Sequence, residues 1–222
     1  MIVDIVFMKS NSMQPQDPKI YHIVHVDKLQ SIVDSGGLFS DSEVIRLGFG
    51  GTTVGMNKIK QRRLNLALNT YPNLCVGECV PFYFCSRSIM LYMMSVQSSS
   101  MEYQGGQDNI IHLEADLMSS INWADKNNKR WVFTSSNAGS RYFEDTNNIK
   151  NLSQLNWDAI NAKYWTDVIE EKQAEFLCEQ SFAWELVEKI GVLNQTTYQQ
   201  VQSIIQNLQC KPQLEIKEDW YY

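Results

Sequence analysis

The sequence is poor in the residues from which several common sites are built. Only three histidines, His22, His25 and His112, occur in 222 residues. Their spacing matches neither an HExxH helix nor an HxE with a following CxxC, which argues against a catalytic metal. The five cysteines, Cys75, Cys79, Cys85, Cys178 and Cys210, are odd in number and form no paired CxxC motifs. Neither a disulfide framework nor a zinc site is indicated, and reduced thiols in a cytoplasm are expected. With no Cys/His signature beside them, these thiols read as small core residues rather than nucleophiles. Long apolar runs are missing too: none approaches the ~20 residues that span a bilayer. The opening "MIVDIVFMKS" carries an acid in its apolar run and lacks a small-residue cleavage site, so no membrane or secretory role is expected. Positive charge is also short. Nineteen Lys and Arg against 25 Asp and Glu leave a net charge of −6, which speaks against wrapping duplex DNA by bulk electrostatics and leaves room only for a local basic patch.

What is present suffices for one sizeable core. With 44% hydrophobic residues, no internal repeat and no clear linker, residues 1–222 are expected to form a single domain. "YHIVHV" alternates as a strand, with His22 and Val24 on one face and Tyr21, Ile23 and His25 on the other. A helix should follow, capped by Asp27, carrying Leu29, Ile32 and Val33, and stopped by Gly36 and Gly37. "ECVPFYFCSRSIMLY" reads as a strand in which Arg87 is out of place, so it marks either an irregular sheet segment or the wall of a site. Further strands are expected near 110, near 131, after Glu175 and through the terminal "QLEIKEDWYY", with helices over 153–169 and from a cap at Thr196 or Thr197. Short strands mixed with modest helices, without regular βαβ alternation, indicate an α+β fold.

Two stretches stand out chemically. "GFGGTTVGMN" is glycine-rich but has neither a P-loop nor a dinucleotide fingerprint. Directly after it come Lys58, Lys60, Arg62 and Arg63, the densest positive cluster in the chain. Such a run is ordinarily a solvated helix face. Beside a glycine-rich loop in an acidic chain, an anion site becomes a serious alternative. On a helix, adjacent residues point about 100° apart, so only one of Arg62 and Arg63 can face a given site.

His22, Tyr83 and Glu175, with these arginines, match a pattern that none shows alone. "YHIVHVDKLQSIVDSGGL" and "PFYFCSRSIMLY" resemble segments of the poly(ADP-ribose) polymerase catalytic region. A closer likeness spans nearly the whole chain. "IKQRRL", "VPFYFCSRSIMLY", "GGQDNIIHLEADL", "WVFTSSNA", "KQAEFLCE" and "DWYY", in that order, resemble the DarT family of DNA ADP-ribosyltransferase toxins. The sequence departs from the family pattern at Glu78 and Cys79, where Asp-Tyr is frequent, and at Ser135, where "FTD" is.

The resemblance implies an ADP-ribosyltransferase fold, like that of poly(ADP-ribose) polymerases, with a split central β-sheet and flanking helices. It implies an enzyme that cleaves NAD and attaches ADP-ribose to a base, thymine in the typical case, in single-stranded DNA. It also implies a DarG-type macrodomain antitoxin as partner. Carried onto this sequence, it gives NAD contacts at His22, Val24, Tyr83, Tyr92 and Arg62, and catalytic roles for Glu175 and Arg63. Tyr83 would be the nicotinamide platform, Tyr92 the far wall, and Glu175 a solvent-facing acid at a strand entrance. Arg87, Arg141 and Tyr142 are the DNA-binding candidates, the last two because single strands are held by stacking together with phosphate contacts. No metal is expected. An acceptor in RNA or protein, or an NAD-binding module without turnover, are the rival readings.

Overall fold

In a computed structural model that describes residues 13–222, eight strands pair in one sheet. The opening "MIVDIVFMKS" lies outside the described residues. The spatial order is β10 (Gln213–Ile216), β9 (Val187–Val192), β4 (Ile110–Asp116), β1 (Lys19–His25), β3 (Cys79–Tyr83), β7 (Glu175–Glu179), β5 (Trp131–Thr134) and β6 (Asp145–Thr146). All neighbours are antiparallel except β9 and β10. A separate two-stranded ribbon joins β2 (Gly37–Phe39) to β8 (Ser181–Ala183). Among the described residues there are also seven α-helices: α1 (Leu29–Asp34), α2 (Asp41–Leu47), α3 (Asn57–Arg63), α4 (Ile89–Ser95), α5 (Leu117–Lys126), α6 (Trp157–Asn161) and α7 (Gln195–Ile205).

The sheet is weakest between β1 and β3. β1 pairs with β4 along its whole length, from Lys19↔Asp116 to His25↔Ile110, but meets β3 only at Tyr21↔Tyr83. Beyond that point the strands part, which is the split implied by the family resemblance. Strand alternation sorts the sheet into two apolar faces. Ile20, Val24, Val80, Phe82, Leu113, Phe133 and Phe176 pack with α5, α7 and the ribbon into the main core. Ile23 and Ile110 look the other way, toward α4, Trp220 and Tyr221. Among the described residues, no helix is long and apolar enough to cross a membrane.

Several local expectations are corrected. The stretch 78–92 is not one strand: β3 ends at Tyr83 and α4 begins at Ile89, because the Ser88 hydroxyl caps the new helix by accepting the Leu91 N–H at 3.2 Å. Asp27 does not cap α1. A 3₁₀ turn intervenes, and its carboxylate instead accepts the Thr52 N–H and hydroxyl, at 3.1 and 2.6 Å. The helix expected over 153–169 shrinks to α6, flanked by 3₁₀ turns. The Ile160 carbonyl, which continuation of the helix would have used, accepts the buried Lys172 ammonium at 2.8 Å. α7 is capped by Asn194, whose side-chain oxygen accepts the Thr197 N–H at 2.9 Å, while the Thr197 hydroxyl donates to the Asp108 carbonyl at 2.7 Å. The last strand stops at Ile216, because Trp220 and Tyr221 turn inward and bury against β9 and β4.

That inward turn needs glycine at 191, since a Cβ there would overlap the Trp220 ring. Gly191→Ala is therefore expected to lower stability by about 1–3 kcal/mol, the cost of overpacking a filled core, read as a lower urea midpoint with an unchanged slope.

Candidate active site

The β3–β7 register decides what faces the split. Tyr83 stands directly opposite Glu175, so both side chains leave the sheet on one face as a cross-strand pair. Glu175 begins β7 because its backbone N–H is held by the Thr134 hydroxyl at 3.0 Å, and that hydroxyl donates in turn to the Ser136 carbonyl at 2.6 Å. His22 and Val24 belong by alternation to the other face of β1, and reach the cavity where β1 and β3 diverge.

The parted strands open into a cavity of about 580 Å³, roofed by the glycine-rich segment and α3 and floored by β3, β7 and α4. Within it, Arg63 grips Glu175 with two parallel bonds, Nη1 to Oε1 at 3.1 Å and Nη2 to Oε2 at 2.8 Å. The Ala138 N–H adds a third bond to Oε1 at 3.1 Å. The pair is shielded, with side-chain exposures of 12% for Arg63 and 4% for Glu175. Burial alone would make Arg63 easier to deprotonate. The Glu175 charge and hydrogen bonds outweigh that and push its pKa up, so the guanidinium stays charged. A carboxylate offers about four lone-pair directions. Three are taken here, two on Oε1 and one on Oε2. Among the described residues this leaves one acceptor position on Oε2 and three Arg63 N–H groups without a hydrogen-bond partner.

His22 is a neutral imidazole. Burial is the main reason its pKa is lowered to about 4; the nearby Lys60 and Lys28 charges push the same way, against a hydrogen bond to the Pro81 carbonyl. That bond, from Nδ1 at 2.8 Å, fixes the proton on Nδ1 and leaves Nε2 as an acceptor. Tyr83 stays a protonated phenol, since burial and then the Glu175 charge raise its pKa. Among the described residues no group of three or more His, Cys, Asp or Glu could hold a metal. Burial also raises the pKa of the Cys79 and Cys178 thiols, the second to about 12, which keeps them out of nucleophilic chemistry.

The cavity thus collects His22, Val24, Tyr83, Arg63 and Glu175. The other sequence candidates lie elsewhere. Arg62 is exposed on the far side of α3, directed toward Gly139, so Arg63 is the arginine that enters. Tyr92 is no cavity wall: it sits between Trp165 and Tyr222 with ring centroids 5.3 and 5.2 Å away, because α4 turns Ile89, Met90 and Met93 inward instead. Arg87 lies 4.3 Å over the Tyr222 ring. Arg141 and Tyr142 are both exposed, the guanidinium 5.6 Å from the ring. Glu175 is not solvent-facing: its carboxylate is buried against Arg63, and the charged run that precedes it in sequence forms a 3₁₀ turn over Glu171–Gln173. Sequence reading missed Lys28, Asp41, Asn137 and Gln173, all of which line the cavity. It also missed the Ala138 N–H, a backbone donor that has no side-chain signature.

A mostly antiparallel sheet, split beside its first strand and carrying a histidine, a tyrosine and a glutamate at the split, defines an ADP-ribosyltransferase fold. The model of the family described as "ssDNA thymidine ADP-ribosyltransferase, DarT" matches residues 21–222, and the chain belongs to that family. A DNA ADP-ribosyl transferase of Thermus aquaticus is 37% identical over 210 residues, covering 94% of this chain and 90% of the relative. The DarT of Thermus sp. 2.9, solved with ADP-ribosylated single-stranded DNA, superposes with a TM-score of 0.86 at 32% identity over 96% of this chain and all of that one. The same protein with NAD+ gives 0.81, at 32% identity and 95% coverage of this chain.

Two outcomes follow from this geometry. Arg63→Ala and Glu175→Ala should each cost about 3–5 kcal/mol, because each strands the other charge in a buried site. The double variant should lose markedly less than the two together, a coupling readable in a double-mutant cycle of urea melts. His22 and His112, both held near pKa 4 chiefly by burial, bind fewer protons folded than unfolded between about pH 4 and pH 6.5. Their contribution is therefore full above about pH 6.5 and is lost as pH falls toward 4, by up to about 1.4 kcal/mol per pH unit for each. Urea midpoints across that window check it.

Proposed function

We infer that this chain transfers ADP-ribose from NAD to a thymidine base of single-stranded DNA. The observation that carries the reading is the Tyr83↔Glu175 cross-strand pair with the Arg63 fork closed on it inside the cavity. The similar DarT structures with NAD+ and with ADP-ribosylated single-stranded DNA support both the co-substrate and the acceptor.

The roles follow from charge. Breaking the bond between ribose and nicotinamide builds positive charge on the ribose, and a carboxylate already fixed beside it stabilises that charge without reorganising. Glu175 takes this role through its fixed charge, which leaves its remaining Oε2 lone pair for a proton. Tyr83 stays neutral and offers its ring face to the nicotinamide. His22 Nε2 accepts from a hydroxyl of the co-substrate, with Val24 beside it. Thymine loses its ring N–H proton as it attacks, so a base and a cation are needed together. Glu175 is the proton acceptor, and the unused N–H groups of Arg63 hold the developing anion on the base. A guanidinium suits this because it keeps its charge and can fork to two partners at once.

Outside the cavity, exposed Arg62, Arg141 and Tyr142 are assigned to the DNA strand, the arginines for phosphates and the tyrosine for stacking. Arg87 and Tyr92, joined through Tyr222 outside the cavity, are assigned neither the DNA contact nor the NAD contact that the resemblance implied for them. The chain is taken as one catalytic domain over residues 1–222, acting in the cytoplasm. Its partner by family likeness is a DarG-type macrodomain antitoxin that removes the modification.

Mixed-sequence single-stranded oligonucleotides incubated with NAD and the protein should gain the mass of one ADP-ribose, with fragmentation placing it on thymidine. Glu175→Gln, which preserves shape and hydrogen bonding better than alanine, should give no adduct while melting as a folded protein. Nicotinamide release without any DNA adduct would move the acceptor to RNA or protein.

A further inference from the structure

The four cations of the "NKIKQRR" helix divide sharply. Lys58 and Arg62 are exposed, whereas Lys60 and Arg63, three residues apart and thus on one side of α3, both line the cavity. Lys60 is one helical turn from the arginine that holds the catalytic glutamate. A second lysine joins it from a different element. Lys28, in the 3₁₀ turn after β1, is half-buried and lines the same cavity. The glycine-rich segment lies across both stems. A Cβ at Gly51 would stand 2.7 Å from Lys28 Cγ, and one at Gly55 would stand 3.0 Å from Lys60 Cε. At Gly51, where φ is +103°, glycine is what permits that approach, and at Gly55 the segment packs tightly on the end of the Lys60 side chain, so the segment holds both stems against the cavity.

The charges do not cancel. Arg63 is matched by Glu175, and Lys60 Nζ by Asp41 at 2.7 Å. Lys28 makes no ion pair among the described residues, which leaves one positive charge over inside a protein of net −6. Burial, and then the neighbouring Lys60 charge, make the Lys28 ammonium easier to deprotonate, the signature of two cations crowded without enough counter-charge.

We propose that Lys28 and Lys60 form a two-lysine seat for the diphosphate of the co-substrate, kept in place before binding by Asp41. The proposal rests on the reading that the cavity takes NAD. In that molecule a diphosphate lies one ribose away from the bond that breaks, as Lys60 lies one turn away from Arg63. Lysine suits the task because its ammonium is a compact point charge with three rotatable donors. Asp41 occupies Lys60 in the free protein and competes with the incoming phosphate oxygens, so it lowers affinity while it orders the seat.

Calorimetric titration of the full chain with ADP and, separately, with adenosine isolates the diphosphate. Lys28→Gln and Lys60→Gln should each weaken ADP roughly tenfold, the worth of one charge-assisted hydrogen bond, and leave adenosine unchanged. Lys28→Arg should retain most of the ADP affinity, and Asp41→Asn should bind ADP more tightly than the unmodified chain. Equal losses for ADP and adenosine, or unchanged ADP binding in both glutamine variants, would overturn the seat. If that occurs while the unmodified chain still adds ADP-ribose to DNA, only this proposal falls. A chain that neither modifies DNA nor binds ADP refutes the proposal together with the reading beneath it.

Discussion

The buried pair between Arg63 and Glu175 is the constraint on which the rest of the site depends. Taking two charges out of water costs several kcal/mol for each, and the loss is offset only where geometry is good and the remaining polar atoms are satisfied. Here both conditions hold through the two-pronged guanidinium bond and the added Ala138 N–H. The pair also ties together parts of the chain 112 residues apart. It docks α3 onto β7 and so positions the glycine-rich segment over the cavity.

Around that pair, the sheet does two jobs. Full pairing of β3 with β7 makes the Tyr83 and Glu175 positions rigid. Near-absence of pairing between β1 and β3 opens the space in front of them, where a continuous ladder would have filled it with side chains. The Pro81 carbonyl, in the strand across the gap, accepts the His22 N–H, which locks the imidazole as a neutral acceptor at the cavity edge. Tyr83, Glu175 and Arg63 line the cavity from two strands and a docked helix, while the exposed Arg141 and Tyr142 belong to a connecting loop. Precision and adaptability are thereby assigned to different parts of the fold.

Much of the framework was legible in the sequence because alternation and turn residues are local signals. β1, the strand after Glu175 and the Gly36 stop of α1 all followed from them. The resemblance supplied the fold class and the chemistry, which spacing alone did not. What stayed hidden depended on distant partners. Whether Arg62 or Arg63 turns inward is settled by a carboxylate 112 residues away from Arg63. Asp27 looked like a helix cap until Thr52 claimed its carboxylate. The aromatic run through Tyr92 read as a strand because the hydroxyl of Ser88, which starts a helix there, is one polar residue among many. Glu175 looked exposed because it follows "EEKQA", and no local pattern reveals that Arg63 lets it be buried.

The most direct test of the account is the rate of ADP-ribose transfer to a thymidine-containing single strand by Arg63→Lys, with melting followed alongside. Lysine keeps the charge and much of the length but cannot fork to both carboxylate oxygens. If the two-pronged grip is what aims Glu175, transfer should fall by roughly a hundredfold, as for a catalytic group displaced by about an ångström, in a protein that still folds. Transfer near the unmodified rate would contradict the account and show that a positive charge alone is enough.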